Sequence, residues 1–227
     1  MKRTDIALGL YLLSAIVFLI IPLPATVLDI LLAFNMATAL IVVFNALFAK
    51  ETLDMSGFPT ILLFTTVFRI GLNSASTKLI LSSGDPGNVV RTFGEFVGGG
   101  DIVIGIIVFI IIIIVQFAVI NKGSERVAEV TARFTLDAMP GKQMAIDGDL
   151  NTGAITDEEA KQKREKLQQE SSFYGAMDGA MKYVKGDATA GLLITAVNII
   201  GGIAMAVLRR GMTIGDAFDT YVILTIG

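Results

Sequence analysis

Two cations stand inside an otherwise apolar stretch of the chain, where charged side chains are unusual. Arg69 and Lys78 lie in segment 58–81, which is rich in Leu, Ile, Val and Phe. In a continuous helix, a spacing of nine residues places them on opposite faces. Charged groups in apolar surroundings need a carboxylate, a carbonyl group or water beside them. The two cations indicate either a function, as a polar pathway or an ion-pair network between protomers, or a structural role, as paired charges or as side chains that snorkel from a helix end.

A second charged group stands at a boundary between polar and apolar sequence. Lys182, Lys185 and Asp187 directly precede the apolar stretch 191–208. The residues alone favour Asp187 as a helix N-cap, because its carboxylate would accept hydrogen bonds from free amides and interact well with the helix dipole. The alternative is a protonatable carboxylate at the mouth of an ion path, with the two lysines beside it.

Asp29 is the acidic residue nearest the start of another apolar stretch, 25–48. One interpretation is an interfacial position with local hydrogen bonds. The other is an ion-pair partner for Arg69 or Lys78, which would explain how those cations are tolerated.

Several classes of site are excluded by composition. The chain has neither cysteine nor histidine, so thiolate and imidazole chemistry is absent. No phosphate-binding loop motif is present, and segment 147–153 departs from the EF-hand pattern because Thr152 stands where glycine is required. The net charge of −3 comes with no basic stripe. We therefore expect no enzyme activity, metal, cofactor or nucleic-acid partner.

The elements that must position these residues are membrane helices. The 227 residues are 53% hydrophobic with a mean hydropathy of +0.70, and 22 of the charged residues fall between 122 and 187. A span needs about 20 apolar residues. Segment 58–81 inserts alone at near-zero net free energy, since about −5 kcal/mol from apolar residues is offset by roughly +5 to +7 kcal/mol from the two charges. It therefore needs protein partners, or breaks near Gly71.

The predicted fold is an all-α polytopic membrane protein with about six membrane segments and a small cytoplasmic subdomain between the fourth and fifth. Cytoplasmic placement of the N-terminus and of the polar block follows from the excess of Lys and Arg on that side. Inside the polar block, a turn is predicted at Pro140-Gly141, and Thr156 with Glu159 three residues later fits a capping box that predicts the start of a helix. The predicted parts are 1–120 with segments 6–21, 25–48, 58–81 and 102–120; the subdomain 121–187; and 188–227 with segments 191–208 and the start of one at 212–227.

Several long motifs resemble one known family. They include FPTILL from Phe58, FRIGLN from Phe68, ERVAEV from Glu125, RFTLDAMPGKQMAID from Arg133 and KGDA from Lys185. These motifs are similar to those of the FHIPEP family, the FlhA/SctV-type export gates of flagella and type III secretion injectisomes. The resemblance covers nearly the whole chain.

The resemblance implies a function and a set of site residues. Members of this family are multi-pass proteins of the bacterial inner membrane that use the proton motive force to export unfolded proteins. The charged positions linked to export or proton coupling correspond to Arg69, Lys78, Arg133, Asp137, Lys182 and Asp187 of this chain. Lys78 stands where arginine is more usual, so the charge is kept without the guanidinium fork. The resemblance thus favours Asp187 as the coupling carboxylate over the N-cap interpretation.

The resemblance also implies partners. They are a homo-oligomeric ring, taken to be nonameric, the other membrane proteins of the export apparatus, the surrounding bilayer, and the ATPase complex with secreted substrates and chaperones. The last group would dock on a C-terminal domain that is not in this sequence, which stops inside a predicted span. The alternative function is a proton- or ion-conducting channel or a secondary transporter of small solutes. Such a transporter is expected to show internal repeats, and none is found here.

Overall fold

The protein is described by a computed structural model that covers residues 9, 11, 13, 14, 16–18, 20, 21, 23–99 and 101–227. Every regular element in this part of the chain is helical, which confirms the all-α prediction. The α-helices are α1 Ala25–Phe48, α2 Phe58–Ser82, α3 Asn88–Gly98, α4 Ile102–Val115, α5 Glu125–Asn151, α6 Asp157–Arg210 and α7 Ile214–Ile226. A 3-10 helix at Thr52–Met55 and a π-helix at Gln116–Ser124 complete the set.

Four helical stretches are long and apolar enough to cross a membrane. Within the described residues they are Ala25–Phe48, Thr52–Ser82, Ile102–Asn151 and Asp157–Arg210. The first predicted segment, 6–21, lies largely outside the described residues. The predicted segment at 212–227 forms helix α7, which is only 13 residues long. The structure therefore supports a multi-span protein without fixing the number of spans at six.

Segment 58–81 forms one continuous helix, so of the two alternatives the break near Gly71 is wrong. Helix α2 begins at Phe58, with Pro59 in its first turn, where a missing amide proton costs nothing. Gly71 is buried in the interior of the helix and does not interrupt it. The partners that this segment was expected to need are α1 and α6, which pack against it.

Helices α5 and α6 form a long antiparallel hairpin. The turn predicted at Pro140-Gly141 is wrong, because α5 runs through Pro140 and ends only at Asn151. Thr156 then caps α6, and its hydroxyl accepts a hydrogen bond from the Glu159 amide at 3.3 Å. Bonds from the Thr156 backbone and hydroxyl to the Glu159 carboxylate lower the pKa of that carboxyl. This reciprocal capping box, predicted by the sequence pattern, fixes where α6 starts.

Both arms of the hairpin continue into apolar helix. On one side α4, the π-helix and α5 follow each other without a gap from Ile102 to Asn151. On the other side α6 is a single helix of 54 residues. The predicted segments 102–120 and 191–208 are therefore the apolar halves of two helical rods, and the polar block supplies the other halves. We call residues 125–187 the polar hairpin.

The buried core consists of two small clusters on either side of α2. One joins α1 to α2 through Leu28, Phe68, Leu72 and Ala75. The other joins α2, α6 and α7 through Ile80, Ala206, Ala217 and Tyr221. Gly202 permits the second cluster, because a Cβ at that position would overlap the Tyr221 ring. Helix α2 is thus held between α1 and the apolar half of α6.

Candidate functional site

Arg69 and Asp187 form an ion pair between α2 and α6. The guanidinium Nη2 of Arg69 donates to Oδ2 of Asp187 across 118 residues of sequence. The Asp187 side chain is 4% exposed, whereas that of Arg69 is 46% exposed. A carboxylate this buried remains charged only beside a compensating cation or strong donors. The pair is therefore the structural reason that the cation in α2 and the acid in α6 can both be present.

The N-cap interpretation of Asp187 is wrong. Helix α6 starts at Asp157, so Asp187 lies in its interior, where the backbone amides are already bonded within the helix. The change from polar to apolar sequence at this position is a change of surroundings and not a helix start. The carboxylate is thus available to a partner on another helix, and Arg69 is that partner.

Lys78 lies on the same helix as Arg69 but makes a different contact. Its Nζ donates to the carbonyl oxygen of Ile20 at 3.1 Å. The two cations were expected on opposite faces of the helix, and they meet a carboxylate and a carbonyl respectively. Lys78 also lines a pocket with Arg209 and Arg210 at the far end of α6, so it is separate from the Arg69–Asp187 pair.

Asp29 bonds to neither cation, so the ion-pair interpretation of this residue is wrong. Its Oδ2 accepts from the Asn88 amide at 3.0 Å and its Oδ1 accepts from the Val89 amide at 2.9 Å. These bonds are long-range, not local as the first interpretation assumed. Asp29 of α1 thereby caps α3, whose first amides have no partner within their own helix. Gly87 makes this possible, since its φ of 104° suits glycine and a Cβ there would overlap the Asp29 carboxylate.

The lysines before Asp187 bind acids of the polar hairpin. Lys185 Nζ lies 2.6 Å from Oε2 of Glu125 on α5. Lys182 Nζ lies 2.7 Å from Oδ2 of Asp178, one turn earlier on α6. The hydrogen bond that Lys182 donates to Asp178, and then the negative charge of Asp178, raise the pKa of Lys182. Lys185 thus links the two arms of the hairpin next to the Arg69–Asp187 pair, whereas Lys182 pairs within α6.

Arg133 and Asp137 share a cleft of the polar hairpin with Lys182. Arg133 Nε and Asp137 Oδ2 lie 3.8 Å apart on one face of α5, and both side chains are largely exposed. Glu129 from α5 and Asp178 from α6 line the same cleft. The structure therefore divides the predicted site residues into four groups. They are the Arg69–Asp187 pair, the exposed cleft of Arg133, Asp137 and Lys182, the link that Lys185 makes between the hairpin arms, and two separate positions, Lys78 and Asp29.

Comparison with known proteins identifies the family. Residues 15–227 match the FHIPEP family. The chain belongs to the FHIPEP family. The flagellar biosynthesis protein FlhA of Caulobacter vibrioides is 55% identical over 232 aligned residues, which cover 100% of this chain and 33% of that protein. FlhA of Bacillus subtilis is 52% identical over 227 residues, covering 100% and 34%.

A relative with a different name is almost as similar. The low calcium response locus protein D of Yersinia pestis is 50% identical over 226 residues, which cover 100% of this chain and 32% of that protein. This FHIPEP chain therefore spans about a third of the length of the curated relatives it matches. No solved structure matches it. The resemblance carried by the motifs is therefore confirmed.

The sequence pattern of this FHIPEP protein did not single out Asn198, which lies on the same helix about 16 Å beyond Asp187. Asn198 is buried in α6, with its Oδ1 unpaired among the described residues. A signal was present in the spacing, since Asn198 lies three helical turns after Asp187 on the same helix. A polar residue at that spacing in an apolar segment shares a face with the carboxylate.

Proposed function

We propose that this protein is the membrane part of a flagellar or injectisome export gate, and that the Arg69–Asp187 pair couples the proton motive force to the translocation of unfolded proteins. The observation that carries the proposal is a buried carboxylate held by a cation on a neighbouring membrane helix. Ionisable residues inside membrane segments are rare and are functional by default. The family membership supplies the link to protein export.

The coupling chemistry follows from the asymmetry of the pair. Asp187 in its ionised form attracts Arg69, and a proton on Asp187 removes most of that attraction. Arg69 is half exposed, so it can turn towards water when the carboxylate is neutral, whereas the buried Asp187 remains in place. Binding and loss of a proton would thereby change the contact between α2 and α6. Since the chain has no histidine, a carboxylate is the natural proton carrier.

The polar hairpin supplies a route from this contact to the rest of an export machine. Asp187 lies on α6, and the same helix continues into the hairpin. The bond from Lys185 to Glu125 joins the two arms of the hairpin two residues before Asp187. We therefore propose that a change at Asp187 is transmitted to the exposed cleft of Arg133, Asp137 and Lys182.

Assembly and location are part of the same proposal. Helices α1 and α4 expose many large apolar side chains, which suit lipid or neighbouring copies of the chain. Following the family, we propose a homo-oligomeric ring, a nonamer, in the bacterial inner membrane beside the other export-apparatus proteins. The distribution of Lys and Arg favours a cytoplasmic N-terminus and polar hairpin. The ATPase complex, chaperones and substrates would act on the longer protein.

The test is Asp187→Asn in the full-length protein in its native membrane. We expect export to be lost while the protein stays at its normal level, because an amide cannot cycle through a charged state. Asp149→Asn is the matched control, since Asp149 forms an exposed pair with Lys163 at the end of the hairpin. Export by this variant should stay at the original level. Secreted substrate and proton uptake by inverted vesicles are the two measurements.

The outcomes separate the possible roles. Loss of both export and proton uptake in Asp187→Asn supports the coupling role. Export and proton uptake at the original level would refute it. If Asp187→Asn and Asp187→Glu both fail to assemble to the same extent, Asp187 has a structural role instead. The alternative, a channel for small solutes, predicts loss of proton uptake with normal export.

A further inference from the structure

A cavity of about 520 Å³ lies among α1, α2, α4 and α6, with parts of α3 and the end of α7 completing its wall, on the side of the ion pair that faces away from the polar hairpin. Apolar side chains form part of this wall, but seven uncharged polar residues also line it. No charged side chain lines it among the residues that the structure describes. The polar residues are Asn35, Asn73, Ser76, Gln116, Thr195, Asn198 and Thr225.

The polar lining continues the faces of α2 and α6 that carry the ion pair. On α2, Asn73 and Ser76 follow Arg69 by four and seven residues, which are helical repeat distances. On α6, Thr195 follows Asp187 by eight residues, or about two turns. Both helices run away from the polar hairpin in this region, so the cavity begins about one turn beyond the pair.

One of the residues that line this space carries a buried polar atom without a partner among the described residues. Asn198 is 7% exposed and lines the cavity, and its Oδ1 has no hydrogen-bond donor within the described part of the chain. A buried acceptor left unsatisfied costs about 1–3 kcal/mol. Asn198 therefore requires a donor that the described side chains do not provide.

The wall contributed by α4 is irregular at the same level. Gln116 lines the cavity and is the first residue of the π-helix Gln116–Ser124. π-helical turns are rare and are found mostly at functional sites. The widened turn thus coincides with the only strongly polar side chain of the isoleucine-rich segment.

We propose that this cavity binds ordered water, which hydrates the Arg69–Asp187 pair from the side opposite the polar hairpin. Cavities with apolar walls stay dry, whereas those lined by several polar groups hold water. The volume accommodates several molecules, since each occupies about 30 Å³ in the liquid. Water supplies the donor that Asn198 needs and accepts from the amide groups of Asn35 and Asn73. An uncharged lining suits water better than a multivalent ion, whose charge would need carboxylates.

The role of this water in coupling rests on the function proposed above, whereas its presence does not. A chain of water molecules from the cavity would bring protons to within about one helical turn of Asp187. The hydrated cavity would then be the part of the path that lies on the side away from the hairpin.

The absence of native cysteine allows a direct test of hydration. Single variants Ser76→Cys and Thr195→Cys place a thiol in the cavity, and Leu193→Cys places one on the apolar surface of the same helix, where Leu193 is 67% exposed. A small charged methanethiosulfonate is applied to membranes that contain the full-length protein. Because only a hydrated thiol forms the reactive thiolate, we expect the cavity cysteines to react roughly tenfold faster or more than Leu193→Cys.

Equal, slow reaction of all three cysteines would overturn the proposal, because it would show a dry cavity. A second comparison adds Asn198→Leu, which keeps the approximate shape of Asn198 but removes its polar atoms. This substitution should slow the labelling of Thr195→Cys by roughly tenfold, and unchanged labelling would refute the role of Asn198. If Asn198→Leu slows the labelling but leaves export normal, the cavity is hydrated and only its link to coupling is refuted. The proposed role of Asp187 is tested separately by Asp187→Asn.

Discussion

The ion pair has unequal partners, and this inequality decides how substitutions will behave. The side chain of Asp187 is buried, whereas nearly half of the Arg69 side chain is exposed. Removing Arg69 leaves a buried charge without compensation, which is more damaging than removing both partners. Lys at position 69 would keep the charge but not the planar donor geometry of the guanidinium.

We predict that Arg69→Ala destabilises the protein by about 3–5 kcal/mol and that adding Asp187→Asn restores most of this loss. The measurement is the midpoint of thermal unfolding in detergent. Arg133→Ala is the control, because the exposed Arg133–Asp137 pair contributes about 0–1 kcal/mol. If the double variant unfolds as early as Arg69→Ala alone, the carboxylate is not what makes the single variant unstable.

At the scale of elements, the loop between α2 and α3 is fixed by charges from two other helices. Arg210 of α6 donates to the Ser82 carbonyl at 3.1 Å, at the end of α2, and Asp29 of α1 accepts from the first amides of α3. Each charge has the sign that the adjacent helix end favours. Gly84 and Gly87 adopt positive φ angles of 72° and 104°, and a Cβ at either would overlap Arg210 or Asp29.

We predict that Asp29→Ala loosens α3 at a cost of about 1 kcal/mol, the usual value for losing an N-cap. Asp29→Asn should have a smaller effect, because one oxygen can still accept a hydrogen bond. Amide hydrogen exchange measured by mass spectrometry should rise in Asn88–Gly98 and stay constant in Glu125–Asn151. Unchanged exchange in the first range would show that α3 is held by its packing on α7 instead.

At the scale of the whole molecule, the polar hairpin contacts the rest of the chain at a second place, far from the Arg69–Asp187 pair. Nζ of Lys166 on α6 lies 3.1 Å from Oε2 of Glu51, which belongs to the connection between α1 and α2. Lys166 is 21 residues before Asp187, which corresponds to about 30 Å of helix. The α1–α2 connection therefore reaches well along the hairpin.

We predict that Glu51→Cys with Lys166→Cys is joined within one chain by a short bismaleimide. The control is Glu51→Cys with Lys182→Cys, where the second thiol lies about 24 Å further along α6. Because the native chain has no cysteine, any cross-link comes from the introduced pair. Cross-linked dimers on a denaturing gel, in place of linked single chains, would contradict this placement of the hairpin.

Much of the helical architecture could be predicted from the sequence. Hydropathy located α1 at 25–48 and α2 at 58–81, because the free energy of membrane insertion depends on local composition. The capping pattern predicted the start of α6, because it also depends on residues that are close in sequence, Thr156 and Glu159. The continuity of α4 through α5 and of α6 was missed, because a change in polarity alters the surroundings of a helix without breaking its backbone hydrogen bonds.

The contacts between distant residues could not be predicted from the sequence. Arg69 and Asp187 are 118 residues apart, and Asp29 and Val89 are 60 apart. Their types and apolar settings indicated that partners were needed, but the choice of partner depends on how the helices pack. The sequence is equally compatible with an ion pair between Asp29 and Arg69. The position of α3 beside Asp29 decides against it.

The unbroken helix α6 has a mechanical consequence. A straight helix resists bending and stretching over a few turns, so its 54 residues behave as a stiff lever about 80 Å long. Asp187 lies near its middle, where α6 contacts Arg69 of α2. Under the function proposed above, a force that a passing polypeptide applies to the hairpin would act on the Arg69–Asp187 contact as torque. Under the same proposal, protonation at this contact would in turn move the tip of the hairpin.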